Sequence, residues 1–143
     1  MWWFETVRGN IKADTRRDRI EAAKEVMLRA SKYRKEPVVR SLLKSYSAAM
    51  ADPQNALTHL YEIRDALALK LGGDAEARST LGITKGQWSR LGYLANEVPL
   101  SEGRHRGQKI GQLRDATPAE LDEARAIAKH MIQAYLDHLG RHT

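Results

Sequence analysis

Cysteine is absent from this chain of 143 residues, and only four prolines interrupt it. Without thiols the protein has neither disulfides nor thiolate ligands for a metal, which excludes the disulfide-stabilised secreted folds and fits a reducing compartment. Long apolar runs are also missing, and a membrane-spanning helix needs ~20 consecutive apolar residues. No motif for a metal or a cofactor such as the P-loop occurs. These absences predict a soluble cytoplasmic protein with no membrane partner and no cofactor.

The positive charge of the chain is concentrated near its N-terminus. The formal net charge is +6 at pH 7, and residues 1–50 carry 12 Lys or Arg against 6 Asp or Glu. The rest of the chain is nearly balanced. A basic excess of this kind favours an anionic partner, and nucleic acid is the commonest one.

Helical periodicity runs through most of the sequence, and no run of alternating β-branched residues predicts a strand. Apolar stripes should bury Leu42, Tyr46, Leu121, Ala128 and Met131. The pattern predicts an all-α fold, a compact bundle of five to six helices forming a single domain, 1–143, whose first 51 residues make basic N-terminal helices. The predicted helices run from Asp14 or Thr15 to about Lys35, from Pro37 to Met50, from Asp52 to Gly72, from Asp74 to Gly82, from Thr84 to Pro99 and from Thr117 to Gly140.

Two helix starts carry the Ser/Thr-x-x-Glu/Gln pattern of a capping box. Thr84 is followed by Gln87, and Thr117 is followed by Pro118 and Glu120. In this pattern the first side chain accepts from the third helical N–H, and the later side chain accepts in return from the capping residue. The pattern therefore predicts that Thr84 and Thr117 are the capping residues of two helices.

The 18 residues from Pro99 to Ala116 show no periodicity, and a connection this long inside a small domain is usually functional or mobile. Glycines in it allow the backbone to approach a ligand closely. Its basic side chains could surround a phosphate. The alternative is a solvated connection without a ligand. The residues concerned are Arg104, His105, Arg106, Lys109 and Arg114.

Residues 77–91 resemble the helix-turn-helix of DNA-binding proteins, with Gly82 in the turn. The resemblance implies that Thr84, Lys85, Gln87 and Arg90 face the major groove. The alternative is a pair of core helices joined by a tight glycine turn.

Three short segments, Leu60-Tyr61-Glu62-Ile63-Arg64, Leu94-Ala95-Asn96 and Gly103-Arg104-His105-Arg106-Gly107, resemble the HEPN-like helical domains of prokaryotic defence and toxin proteins. The resemblance covers roughly residues 52–138. It implies RNA binding or cleavage, with Arg104 and His105 as the polar pair and Asn96 beside them, and it implies a possible homodimer. Those domains space their Arg and His by four to six residues, whereas Arg104 and His105 are adjacent.

Arg125 and His130 do have that spacing. Five residues advance an α-helix by about 500°, so the two side chains should point ~140° apart. We therefore do not expect this pair to form the site. Arg64 raises a different question, because it lies on an apolar helical stripe and its guanidinium needs a counter-charge. A structural ion pair is the expected answer.

The sequence thus leads to three hypotheses. The first is a HEPN-like module that binds RNA in preference to DNA and cleaves it without metal, with His105 as general acid and base and Arg104 stabilising charge on the phosphorus. The second is a helix-turn-helix DNA-binding regulator. The third is a non-catalytic helical subunit of a larger complex.

Overall fold

The computed structural model describes residues 16–108 and 111–142. The first predicted helix start, the aromatic cluster Trp2-Trp3-Phe4 and the side chain of Lys109 lie outside the described residues. Within this part of the chain the fold is an all-α bundle, as predicted. Its six α-helices are α1 (Arg16–Ala30), α2 (Pro37–Ala51), α3 (Ala56–Leu71), α4 (Asp74–Leu81), α5 (Lys85–Gly92) and α6 (Pro118–Arg141).

Helix α6 is the longest element, and it contacts each of the other five helices. Helix α3 packs most extensively on α2 and next on α6. The core between them buries Leu42, Tyr46, Ala128 and Met131, whereas Leu121 is only partly buried. No helix in the described ranges is both long enough and apolar enough to span a bilayer.

Local capping chemistry fixes several helix ends. Thr84 and Thr117 both form the predicted capping boxes, and α3 ends at Gly72 in the left-handed conformation, with φ 98°. Such an end suits glycine because no Cβ opposes a positive φ. Glu36 caps α2, since its carboxylate accepts from two backbone N–H groups of the first turn.

Several predicted boundaries are wrong. Helix α1 ends at Ala30 and not near Lys35, α3 begins at Ala56 and not at Asp52, and α5 ends at Gly92 and not at Pro99, because 3-10 turns or a π-turn cover most of the intervening residues.

Asp74 was expected to cap α4, but Gly73 takes the capping position and Asp74 is the first helical residue, with no side-chain cap. Gly140 was expected to end α6, but the helix continues to Arg141. A single glycine costs about 1 kcal/mol in a helix, and this penalty is too small to interrupt a long, well-packed helix.

Short tight turns join the main helices. Single 3-10 turns cover Ser31–Tyr33 after α1 and Pro53–Asn55 before α3. A π-turn, Tyr93–Glu97, continues α5. Turns of this last kind are rare and are frequently found at functional sites.

Candidate functional site

The described residues between the π-turn and α6 form a loop that is closed at its base. Leu100 and Arg114 form an isolated parallel bridge. The N–H of Ser101 donates to the carbonyl of Arg114 at 2.8 Å, and the N–H of Arg114 donates to the carbonyl of Pro99 at 3.0 Å. The predicted long loop is therefore present, with its own short 3-10 turn at Arg106–Gln108.

Pro99 creates the anchor for this loop. In a continuous helix the Ala95 carbonyl would accept from residue 99, but proline has no N–H. The N–H of Arg104 donates to that carbonyl instead, at 2.7 Å. The loop can come this close only at Gly103, because a Cβ there would lie 2.8 Å from the Ala95 oxygen. The local sequence thus fixes the position of Arg104.

The Arg104 guanidinium lies between an amide and an aromatic ring. Its Nη1 donates to Oδ1 of Asn96 at 3.0 Å, and its Cζ lies 4.3 Å from the centroid of the Tyr61 ring. The residue is half-buried. No carboxylate of the described residues lies within ion-pair distance of it. A cation in this setting is favourably placed on the ring face but lacks a counter-charge.

A second guanidinium, that of Arg64, contacts the same tyrosine. Its Nη1 donates to the Tyr61 hydroxyl, and its Cζ lies 4.9 Å from the Tyr61 centroid and 5.1 Å from the Trp88 ring. Its Nε is buried without a hydrogen-bond partner. We call the group of Tyr61, Arg64, Asn96 and Arg104 the arginine–tyrosine cluster.

The ion pair expected for Arg64 is present but weak. Asp74 lies 3.4 Å from Nη2, and its own side chain is 60% exposed. Gly92 leaves room for the guanidinium, since a Cβ at that position would lie 3.1 Å from Nη1. Sequence reasoning did not find the Tyr61–Arg64 pair as part of a site. The available signal was the i,i+3 spacing of a tyrosine and an arginine on an apolar stripe.

His105 lies apart from the cluster. Its side chain is exposed, and its backbone has a left-handed φ of 57°. This conformation is uncommon for residues other than glycine. The structure therefore brings Arg104 and Asn96 together, as the sequence suggested, but it directs the neighbouring imidazole to the surface of the loop.

The other loop cations differ in how they are engaged. Arg106 is exposed and donates to the Ser101 carbonyl at 3.1 Å. Arg114 makes a two-fold interaction with Glu120, at 2.8 and 2.9 Å. The hydrogen bond from Arg114 is the main reason that the pKa of Glu120 falls to about 2. Arg106 is consequently the more available phosphate ligand of the two.

A histidine that sequence reasoning missed lies at the start of α3. Nε2 of His59 is 2.9 Å from Oδ2 of Asp52, and Nδ1 is 3.5 Å from Glu62. The pKa of Asp52 is lowered mainly by the hydrogen bond from His59 and next by the hydrogen bond from Asn55. The positive charge of Arg106 lowers it further. The Nε2 bond to Asp52 ties the residue before Pro53 to the first turn of α3, so His59 anchors the start of this helix.

The helix-turn-helix candidates are mostly engaged within the protein. Gly82 is left-handed, with φ 68°, as a tight turn requires. Lys85 is exposed, but Gln87 closes the capping box with Thr84. Arg90 donates to both oxygens of Glu123 on α6, at 2.9 and 3.0 Å. Of the four residues expected to face the groove, only Lys85 projects without such a contact.

A groove of about 460 Å³ lies mainly between α1 and α6, and both Arg125 and His130 line it. Arg125 bonds to the buried carboxylate of Asp122, and His130 is exposed. Within the described ranges no group of three or more His, Cys, Asp or Glu side chains has an arrangement that could hold a metal ion.

Comparison of the chain with protein-family models, with curated proteins and with solved structures finds no match.

Proposed function

We propose that this chain is a HEPN-like helical module that binds single-stranded RNA at the arginine–tyrosine cluster and cleaves it without metal. The observation that supports this proposal is the half-buried guanidinium of Arg104, which rests on the Tyr61 ring and bonds to a neutral amide. A partly desolvated cation is stabilised by an anion, and a phosphate oxygen can accept two parallel bonds from guanidinium.

The guanidinium plane of Arg104 favours RNA over a free inorganic anion, whereas the buried Tyr61 ring supports that plane from inside the protein. Sequence-specific and single-strand RNA readers stack unpaired bases on aromatic or guanidinium planes, because such bases are free of a duplex. In the cluster these two planes, Tyr61 and Arg104, already lie against each other. A base stacked on the exposed side of Arg104 would place its phosphate beside the same side chain.

His105 supplies the proton-transfer group in this proposal. As the ribose 2′-oxygen attacks phosphorus, the imidazole accepts the hydroxyl proton, and the 5′-oxygen leaves with a proton from solvent or from the imidazolium. The charge that develops on the phosphoryl oxygens faces Arg104. General acid–base catalysis of this kind typically contributes 10²- to 10⁴-fold in rate. The exposed position of His105 at the loop surface allows it to reach a strand lying across the loop.

The proposal is tested by incubating purified protein with a fluorescent single-stranded RNA in excess EDTA. We expect cleavage by the wild-type protein and none by His105→Asn, since asparagine tolerates a left-handed backbone but transfers no proton at neutral pH. The matched control is His130→Asn, an exposed histidine in the α1–α6 groove. Cleavage lost in His130→Asn and retained in His105→Asn would assign the chemistry to that groove and overturn the proposed site.

Binding separates the remaining hypotheses. Titrations at several salt concentrations with single-stranded RNA and with duplex DNA give both affinity and the number of phosphates neutralised. Tighter binding of RNA is expected. Preference for duplex DNA would favour the helix-turn-helix hypothesis, and RNA binding without cleavage would leave a non-catalytic module. Sedimentation of the free and RNA-bound protein tests the homodimer that the family resemblance implies.

A further inference from the structure

A second surface of the molecule carries a concentration of positive charge that the proposed site does not use. Residues 31–51 contain five basic side chains and one acidic one, a net charge of +4 out of the chain's +6. All five basic residues are exposed. We call this surface the basic face. It consists of Lys32, Arg34 and Lys35 at the corner between α1 and α2, and of Arg40 and Lys44 along α2.

The charges of the basic face are not neutralised within the described residues. None of the five has a carboxylate within ion-pair distance there, whereas Lys24 and Arg29 on α1 pair with Glu21 and Asp137. The single carboxylate of this stretch, Glu36, is already used as the cap of α2, where it accepts from two backbone N–H groups. The basic excess is therefore available to a partner.

The exposed side of α2 carries basic and hydroxyl side chains along its length. The helix has no acidic residue, and Arg40 and Lys44 are four residues apart, so they lie on the same side. Ser41 and Ser47 are exposed beside them and can donate to phosphate oxygens. At the α1–α2 corner a shallow cleft of about 390 Å³ is lined by residues 32–36.

The far end of α2 leads to the candidate site. Helix α2 ends at Ala51, and the next residue, Asp52, lies 2.9 Å from Nε2 of His59 on α3. The N–H of the neighbouring Thr58 donates to the carbonyl of Glu102 in the site loop at 3.3 Å. A helix of 15 residues is about 22 Å long. A strand that is bound at the cluster and follows α2 would therefore meet the basic face before it leaves the protein.

We infer that the basic face is a second RNA-binding surface, which holds the phosphate backbone of a single strand on its way to the arginine–tyrosine cluster. The occupant is a polyanion because the surface offers cations that no carboxylate of the described residues pairs with, together with exposed hydroxyls. This inference rests on the proposed function only for the choice of RNA as that polyanion.

The double variant Arg40→Ala/Lys44→Ala tests the inference. With a 12-nucleotide RNA we expect about a fivefold weaker affinity and a salt-dependence slope reduced by about 1.4, the value for two phosphate contacts on a single strand. A dinucleotide spans roughly 7 Å at the stacked rise of 3.4 Å per nucleotide, which is less than the ~10 Å of helix between Lys44 and Ala51. It cannot reach from the cluster along α2, so its affinity should stay the same.

The matched control is Lys24→Ala/Lys70→Ala, which removes the same two charges from exposed positions outside the basic face. Unchanged affinity of this control supports a local contact, and an equal loss in both variants would overturn the inference in favour of a net-charge effect. Far-ultraviolet circular dichroism of both variants should match the wild type, because all four side chains are exposed.

Parallel titration of Arg104→Ala separates this inference from the proposed function. Weaker RNA binding by Arg104→Ala with no change in Arg40→Ala/Lys44→Ala would overturn the basic face alone. The reverse result would overturn the proposed site and retain the basic face as the RNA-binding surface.

Discussion

The backbone N–H of Arg104 donates to the carbonyl oxygen of Ala95 at 2.7 Å. This bond ties the site loop to the π-turn in which Asn96 lies, so the two residues that meet at the cluster are positioned by one contact. Pro99 provides no N–H for that oxygen, so the oxygen is available to the Arg104 N–H. The position of Arg104 is therefore a property of the backbone, and the guanidinium contacts follow from it.

Gly103→Ala should disturb this arrangement. The added Cβ would lie 2.8 Å from the Ala95 oxygen, and backbone atoms cannot move aside as a flexible side chain can. We expect a loss of about 1–3 kcal/mol in the free energy of unfolding, typical of an overpacked site, together with weaker RNA binding. Gly107→Ala is the control, since nothing lies within 4 Å of its Cβ position. Equal stability of the two variants in urea denaturation would contradict the role of Gly103.

His105→Gly should retain folding and lose cleavage. The backbone of residue 105 is left-handed, with φ 57°, and glycine adopts this conformation without steric strain. The free energy of unfolding should therefore rise or stay within about 1 kcal/mol of the wild type. The phosphate contacts remain, so RNA affinity should change little. Stability is measured by thermal denaturation and cleavage by gel. Cleavage at the wild-type rate would exclude His105 as the proton-transfer group.

Arg90→Ala is expected to act on stability and not on binding. The guanidinium holds Glu123 on α6, and a pair of this exposure contributes roughly 0.5 kcal/mol. Affinity for duplex DNA should be the same in the variant and in the wild type. A large, sequence-dependent loss of DNA affinity would instead support the helix-turn-helix hypothesis.

The Arg114–Glu120 pair predicts a specific pH dependence. Because the pKa of Glu120 is lowered from 4.5 to about 2 in the folded protein, its contribution to stability is present above pH 4.5 and is lost as the pH falls from 4.5 towards 2. Glu120→Gln keeps the side-chain oxygen that completes the capping box with Thr117 but removes the charge. The variant should be less stable than the wild type at pH 6, and the difference should shrink by pH 2.5. A difference independent of pH in urea titrations would contradict this assignment.

Features that depend on a few neighbouring residues could be predicted from the sequence. The capping boxes at Thr84 and Thr117 are confirmed because their hydrogen bonds join residues three apart. The buried positions of Leu42 and Met131 are confirmed because helical periodicity repeats within one element. The prediction that α6 ends at Gly140 was wrong, because the packing of this helix outweighs the small helix penalty of one glycine.

The candidate site could be predicted only in part. Asn96 and Arg104 are eight residues apart, and the family resemblance predicted that they lie beside each other. Tyr61 and Arg64 come from a different helix, so only the tertiary packing of α3 against the loop brings them to Arg104. The outward position of His105 depends on a backbone φ that no residue type in the sequence specifies. The pairing of Arg114 with Glu120 likewise required the loop to close at its base.

The most direct test of the proposed function is the affinity of Arg104→Gln for single-stranded RNA, with Lys85→Gln as the control. Both variants remove one positive charge, but Lys85 is exposed and lies outside the cluster. Fluorescence anisotropy at a fixed, low salt concentration should show about tenfold weaker binding for Arg104→Gln, equivalent to about 1.4 kcal/mol, and nearly unchanged binding for Lys85→Gln. Equal affinities of the two variants, or a larger loss for Lys85→Gln, would contradict RNA binding at the arginine–tyrosine cluster.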